Sequence, residues 1–292
     1  MDRPPPLPPA HTWAPLLEAA LAEDLRSGDV TSELVIDPSA TGGGRIEARQ
    51  PLVVCGLELA AAAFARVDPA VHVEPLRGVG DRAAAGEVLA RVRGPLRGIL
   101  AAERTALNFL GRMCGVATHT ARYVDAVAGT GARILDTRKT LPGWRALDKH
   151  AVAAGGGKNH RFALDDAVLL KDNHVHAAGG VGLAVKTALA GAASHLQIQV
   201  EVESLEEARS AVEAGADALL LDNRTPEQVR RIVDELGERV SLGASGGVTL
   251  DNVRAFAEAG AQRISIGALT HSAPCADVAL ELEDDAAGGV RA

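Results

Sequence analysis

The chain has 292 residues, enough for one large domain or two ordinary ones, and its 47% hydrophobic and 23% charged residues are the balance of a globular protein. A formal charge of −8 argues against nucleic acid or an anionic membrane as partner, and 2% aromatic residues cannot build a stacking platform for bases. No apolar run reaches the length of a membrane span, and MDRPPPLPPA, with no apolar centre, reads as an extended arm rather than a secretory leader. Cys55, Cys114 and Cys275 are odd in number and lack CxxC spacing, so buried thiols in a reducing cytoplasm are expected.

TWAPLLEAALAEDLRSGD reads as a helix, with Thr12 as N-cap, Pro15 in the first turn and Gly28 beyond the end. RIEAR and LVVCG follow as short strands, then the helix LELAAAAFARV, the strand VHVEPL and the glycine-punctuated GDRAAAGEVLARVRG. These predict a mixed α+β unit of antiparallel character. ILAAERTALNFLGRMCGVATHTARYVDAVAG predicts long helix, with interruption expected at Gly111 or Gly115.

From about residue 132 short apolar runs alternate with amphipathic helices: ARILDTRK, AVLLKDNH, IQVEVES, ALLLDNR, VSLGASGG and RISIGALT. SLEEARSAVEAG, TPEQVRRIVDELG and TLDNVRAFAEAG each open on a Ser or Thr cap and close on glycine. Six such units predict a parallel sheet covered by helices. Every strand ends in polar or glycine residues, which favours a closed barrel, since a barrel gathers the C-terminal ends of its strands at one mouth. The end of LELEDDAAGGVRA is expected to be unstructured.

Between Arg133 and His174 there are eight Lys or Arg against five Asp or Glu, an inversion of the overall balance. Arg138, Lys139, Lys158, Arg161 and Lys171 fall at or just after strand ends, with His160 and His174 among them. Guanidinium forks there suit a ligand with several negative charges. GGGKNHR (155–161) looks like a phosphate loop but lacks the Walker spacing and follows a helix. ASGGVTLDN and SIGALTHS are better phosphate candidates, at the last two strands of the barrel. Glu201 and Asp222 end otherwise apolar strands and suit Mg²⁺, ribose hydroxyls or a developing positive charge; ion-pairing with the lysines is the plainer role. Lys139 or Lys171 also suits a Schiff base. His160, His174 and Cys275 have no ligand spacing, so no structural zinc is expected.

Taken in order, EDLRSGDVTS, ERTALNFLGRMCGVATHT, LDTRKTLPGWRALDKHAVAAGGGKNHR, LLKDNH, VEVES, LLLDN, ASGGV and SIGALTHSAP resemble the quinolinate phosphoribosyltransferase family from about Leu21 to Leu282. The resemblance implies an incomplete parallel α/β barrel (TIM-like) at 117–269 and an N-terminal α/β sandwich at 1–116, joined by the C-terminal segment 270–292. It implies a homodimer or higher homo-oligomer in which Arg104 is lent to the partner's site. The carboxylates of quinolinate would meet Arg104, Arg138 and Arg161, with His160, Lys139 and Lys171 around them. Glu201 and Asp222 would serve the ribose and the Mg²⁺ of phosphoribosyl pyrophosphate (PRPP). Ser245, Gly246, Gly247, Gly267 and Ala268 would hold its 5′-phosphate, with His271 nearby. Lys139, Lys171, Glu201 and Asp222 are the expected catalytic group. The products would be nicotinate mononucleotide, CO₂ and pyrophosphate. Gln199 and Gly243 depart from the family's pattern, which often has acidic residues at both positions, and Trp144 stands where an aliphatic residue is common.

Three other activities are compatible with the residues alone. One is a same-fold enzyme acting on another aromatic acid. A second is a lysine-dependent aldolase, and the third a phosphate-binding protein without catalysis.

Overall fold

The computed structural model of the chain describes residues 6–283. The outer part of the expected N-terminal arm (1–5) and the expected unstructured end (284–292) lie outside the described residues. Two compact units divide the chain: Met1–Ala121 with Thr140–Gly156 and Leu269–Ala292, and Arg122–Lys139 with Gly157–Ala268. The segment Thr140–Gly156 lies within the stretch 117–269 expected to be barrel, yet it packs with the first unit.

In the first unit, the Trp13 indole donates to the Pro8 carbonyl at 2.8 Å, tethering the inner part of the arm. Helix α1 (Ala14–Leu25) carries Pro15 in its first turn and buries Leu17 and Leu21, one turn apart on one face. Thr12 is not its cap; the hydroxyl closes the preceding 3-10 turn by donating to the Pro9 carbonyl at 2.8 Å. Helix α2 (Val30–Val35) is capped by Asp29, which accepts from the Ser32 N–H. Then come β1 (Thr41–Ala48), β2 (Leu52–Val53), α3 (Leu57–Val67), β3 (His72–Pro75), β4 (Arg82–Ala83) and β5 (Val88–Pro95). β1 lies at the centre of an antiparallel sheet, between β5 and the C-terminal strand Val278–Leu282, and β3 pairs on the outer side of β5.

Helix α4 (Leu96–Ala126) runs unbroken through Gly111 and Gly115. These glycines serve close packing rather than interruption. A Cβ at Gly115 would lie 2.0 Å from the Pro274 carbonyl oxygen, and one at Gly111 2.9 Å from that of Ala276. The missing side chains let residues 274–276 lie against the helix, where the Ala276 N–H donates to the Gly111 carbonyl at 2.8 Å.

The second unit begins its sheet with β6 (Arg133–Leu135). α5 (Arg145–Ala154) returns to the first unit, where its buried Asp148 pairs with the Arg112 guanidinium at 2.9 Å. The second unit resumes with β7 (Val168–Leu170), α6 (Asp172–Ala178), α7 (Val181–Gly191), β8 (Ile198–Val202) and α8 (Leu205–Ala214). It ends with β9 (Ala218–Asp222), α9 (Pro226–Leu236), β10 (Ser241–Ser245), α10 (Val253–Glu258) and β11 (Arg263–Ser265). Ser204 and Thr225 cap α8 and α9 as expected, but α10 starts four residues later than Thr249. The short helix α11 (Ala268–His271) and β12 (Val278–Leu282) are the last of the described elements.

The sheet order is β6–β11–β10–β9–β8–β7, with every pairing parallel. The first strand of this unit lies beside the last, which is the cyclic order of a barrel. β6 and β7 are the two edges, so the barrel is incomplete rather than closed. Lys158 adds a one-residue parallel bridge to Leu135 on the β6 side. The interior is aliphatic, including Ile134, Val200, Leu219, Leu221, Leu242 and Ile264. This fits a chain with few aromatic residues to bury.

Candidate active site

Because all six strands are parallel, their C-terminal ends face one way, and two chemically different groups collect there. The first follows β6 and the glycine run. Gly155 ends α5, and a Cβ on it would lie 2.3 Å from the Ala117 carbonyl oxygen, so this glycine is needed for packing in the first unit. Lys158 is exposed and extends the sheet through its backbone: its N–H donates to Ile134 at 2.8 Å and its carbonyl accepts from Asp136 at 3.1 Å.

That placement delivers His160 and Arg161. The fully buried Asp136 accepts the His160 backbone N–H at 2.8 Å. His160 Nδ1 accepts the Arg161 backbone N–H at 2.8 Å, so the ring proton sits on Nε2, which donates to Gln199 Oε1 at 2.9 Å. The imidazole is thereby held neutral and oriented at both nitrogens. Arg161 donates from Nη1 to the Ala167 carbonyl at 3.0 Å. Burial, and then the like charge of Arg138, push the pKa of Arg161 below the usual arginine value. Two guanidinium groups that repel each other across a half-buried space are a receptor for a polyanion. Lys139, on the exposed turn after β6, anchors its backbone N–H on Thr137 Oγ1 at 3.0 Å.

The second group occupies β7 to β11. Lys171 Nζ donates to Glu201 Oε2 at 3.0 Å. Burial raises the Glu201 pKa above the ordinary glutamate range; Lys171 opposes the rise and neighbouring Asp222 adds to it. Asp222 accepts from Ser245 Oγ at 2.5 Å and from Asn223 Nδ2 at 2.7 Å. Gly246 (φ 78°) and Gly247 (φ 62°) follow in the left-handed region, a backbone turn of the kind that aims N–H groups at an anion. A Cβ at Gly246 would lie 2.1 Å from Asn223 Oδ1, whereas at Gly247 it would meet nothing within 4 Å. The five residues after Gly247 form a turn pinned by Asn252, which accepts the Thr249 N–H and donates to the Gly247 carbonyl. The expected helix opening near Thr249 is therefore a loop. Gly267 and Ala268 follow β11, the neighbour of β10.

The second unit thus gathers Arg138, Lys139, His160, Arg161, Lys171, Glu201, Asp222, Ser245, Gly246, Gly247, Gly267 and Ala268 at one end of its sheet. Arg104, on α4, and His271, on α11, are exposed residues of the first unit. Two polar partners had no role in the sequence reading: Asp136, within LDTRK, and Gln199, noted there only as a departure. Asp136 is legible in hindsight as the acid that directly follows Ile134-Leu135 and precedes Arg138 and Lys139. Among the described residues no three His, Cys, Asp or Glu side chains form a metal cage.

Comparison with known proteins places the chain in a family. The family model described as "Quinolinate phosphoribosyl transferase, C-terminal domain" matches residues 116–281, and that of the N-terminal domain matches residues 29–114. The chain is similar to the nicotinate-nucleotide pyrophosphorylase (carboxylating) of Mycobacterium leprae, 41% identical over 272 residues, covering 91% of this chain and 95% of that protein. A probable enzyme of the same name from Bacillus subtilis is 37% identical over 267 residues, covering 91% and 92%. The solved structure of the nicotinate-nucleotide pyrophosphorylase from Francisella tularensis superposes with a TM-score of 0.90 at 34% identity, covering 94% of this chain and 97% of that one. With both domain models matched in order and these relatives aligned almost end to end, the chain belongs to the quinolinate phosphoribosyltransferase family.

Proposed function

We propose that this protein transfers the phosphoribosyl group of PRPP to quinolinate with loss of CO₂, giving nicotinate mononucleotide and pyrophosphate in de novo NAD biosynthesis. One observation carries the reading. A single sheet end holds a cationic clamp, Arg138 and Arg161 around a neutral His160, and beside it a chain of side chains in which Lys171 donates to Glu201 and Ser245 to the neighbouring Asp222, leading to a glycine turn. The clamp suits an aromatic dicarboxylate, and the chain and turn suit a sugar phosphate.

The ring nitrogen of quinolinate has a free lone pair, so no general base is required. The site positions two polyanions and stabilises the charges that develop. The nitrogen attacks C1′ as the bond to the pyrophosphate oxygen breaks, and the carboxylates of Glu201 and Asp222 favour the positive charge on the sugar. Lys139 and Lys171 stabilise the leaving pyrophosphate, and the N–H groups about Gly246 and Gly247 hold the 5′-phosphate with Gly267 and Ala268. The C–C bond to the carboxylate beside the now-positive nitrogen then breaks. Its electron pair remains on the ring carbon next to that charge until a proton replaces CO₂.

The carboxylates of Glu201 and Asp222 suit Mg²⁺ arriving on the phosphates of PRPP. Glu201 and Asp222 would hold it, and its charge would neutralise the pyrophosphate. The working form is a homodimer or larger, in which the exposed Arg104 completes the partner's clamp. Support comes from α2, whose Val30, Leu34 and Val35 are 64%, 78% and 71% exposed, an apolar patch suited to burial against another copy. Among the described residues no helix is long and apolar enough to cross a membrane. Cys55 and Cys114 are buried as expected and Cys275 is exposed instead; the three free thiols suit a reducing compartment such as the cytoplasm.

Incubation of the purified protein with quinolinate, PRPP and Mg²⁺ should release CO₂ and nicotinate mononucleotide in equal amounts; formation of neither would sink the proposal. Phthalate should raise the melting temperature more than benzoate does, because only a dicarboxylate engages both sides of the clamp. Equal protection would point to a monocarboxylic substrate.

A further inference from the structure

Inside the second unit a cavity of about 230 Å³ runs from His160 and Arg161 to the N-terminal ends of β8 and β11, where Gln197 and Arg263 stand; Gln199 and Asp166 also line it. Arg263 is unusual there. Its Nε and Nη2 are buried and have no hydrogen-bond partner among the described residues. Burial lowers its pKa, and no neighbouring charge offsets that effect. Buried guanidinium N–H groups left without an acceptor are among the costlier arrangements in a protein interior.

The surrounding residues do not relieve it. Gly243, paired in register with Arg263, has no side chain to offer. Gln197 and Gln199 are uncharged, and Gln199 is committed to His160, which its own bonds hold neutral. Asp166, the one carboxylate of the lining, is exposed and already accepts the Phe162 N–H at 2.6 Å. Arg161 brings a second guanidinium to the same space. The lining thus carries two guanidinium groups against one exposed carboxylate. Its volume suits an ion and a few waters, each water taking about 30 Å³.

We propose that this cavity is a binding site for a small monovalent inorganic anion, held by Nε and Nη2 of Arg263 beneath the clamp. The anion supplies the acceptor that Arg263 Nε and Nη2 lack. It is distinct from any group that the substrates would bring to the mouth, and it does not depend on which reaction occurs there.

Bromide is the probe, since it scatters anomalously and replaces chloride. Crystals of the full chain in bromide should show an anomalous peak within hydrogen-bonding distance of Arg263 Nε or Nη2. In solution, exchanging gluconate for bromide at constant ionic strength should raise the melting temperature saturably, by roughly 2–4 °C. Arg263→Met should abolish that rise. Gln199→Glu, which places a carboxylate in the cavity, should also abolish it while the protein remains folded, and this keeps the test decisive if the Met variant does not fold. No peak at Arg263, or an undiminished response in either folded variant, overturns the proposal.

Discussion

The two sides of the sheet end handle charge in opposite ways. On the β7–β10 side the acids are already engaged: Glu201 accepts from Lys171, and the like-charged Asp222 beside it accepts from Ser245 and Asn223. On the β6 side the partners orient backbone and imidazole, and two cations lie close enough that Arg138 lowers the Arg161 pKa more than Asp166 raises it. A network that is internally satisfied keeps its shape before ligand arrives, which is what stabilising a transient charge requires. A pair of like charges has its repulsion relieved when a dianion binds, which is what recognition requires. Altering the first side should therefore act mainly on kcat, and altering the second mainly on the KM of one substrate.

The largest effect is expected at Glu201. Glu201→Gln keeps the shape and removes the charge, and kcat should fall about 10²–10³-fold, the cost typical of losing one electrostatic contact to a transition state. The wild-type pH profile should lose activity as pH falls through a pKa above the ordinary glutamate range, because the ionised carboxylate is the useful form. The stability effect has the opposite sign. A carboxyl whose pKa rises on folding favours the folded state when protonated, so ionised Glu201 costs stability at neutral pH. The Gln variant should therefore melt higher than wild type at pH 7, with the gap closing as pH falls through that pKa. A variant that melts lower at pH 7 would show that Lys171, not burial, dominates the site.

Arg161→Ala comes next. Losing a charge-assisted contact should raise the quinolinate KM about 10–100-fold and leave the PRPP KM nearly unchanged. If both KM values rise together in initial-rate measurements, the division between the two sides is wrong.

Much of this division was legible from the chain itself. The change from α+β to strand–helix alternation near residue 132 marked the parallel sheet, and the polar residues closing each apolar run marked its working end. What was not legible involves groups that meet only through the fold. Gln199 and His160 are 39 positions apart, and no local pattern says that one will orient the other. Gly111 and Gly115 read as helix breakers because local propensity counts only their cost within a helix. The segment 274–276 laid against them reverses the sign. Closure of the barrel was over-read for a similar reason: six alternating units specify parallel neighbours but not whether the two edge strands meet.

The smallest and most selective test lies in the glycine turn. Gly246 and Gly247 share positive φ, so alanine strains the backbone at either by about 1–2 kcal/mol. They differ in surroundings. A methyl at Gly246 collides with Asn223, a partner of Asp222, so Gly246→Ala should disturb the carboxylate network and lower kcat as well as stability. A methyl at Gly247 has open space in the protein and can collide only with what binds there. Gly247→Ala should therefore cost no more than the backbone strain in thermal melts, and raise the PRPP KM several-fold, with quinolinate KM and kcat little changed. An unchanged PRPP KM would move the 5′-phosphate away from this turn and leave Gly267 and Ala268 to hold it.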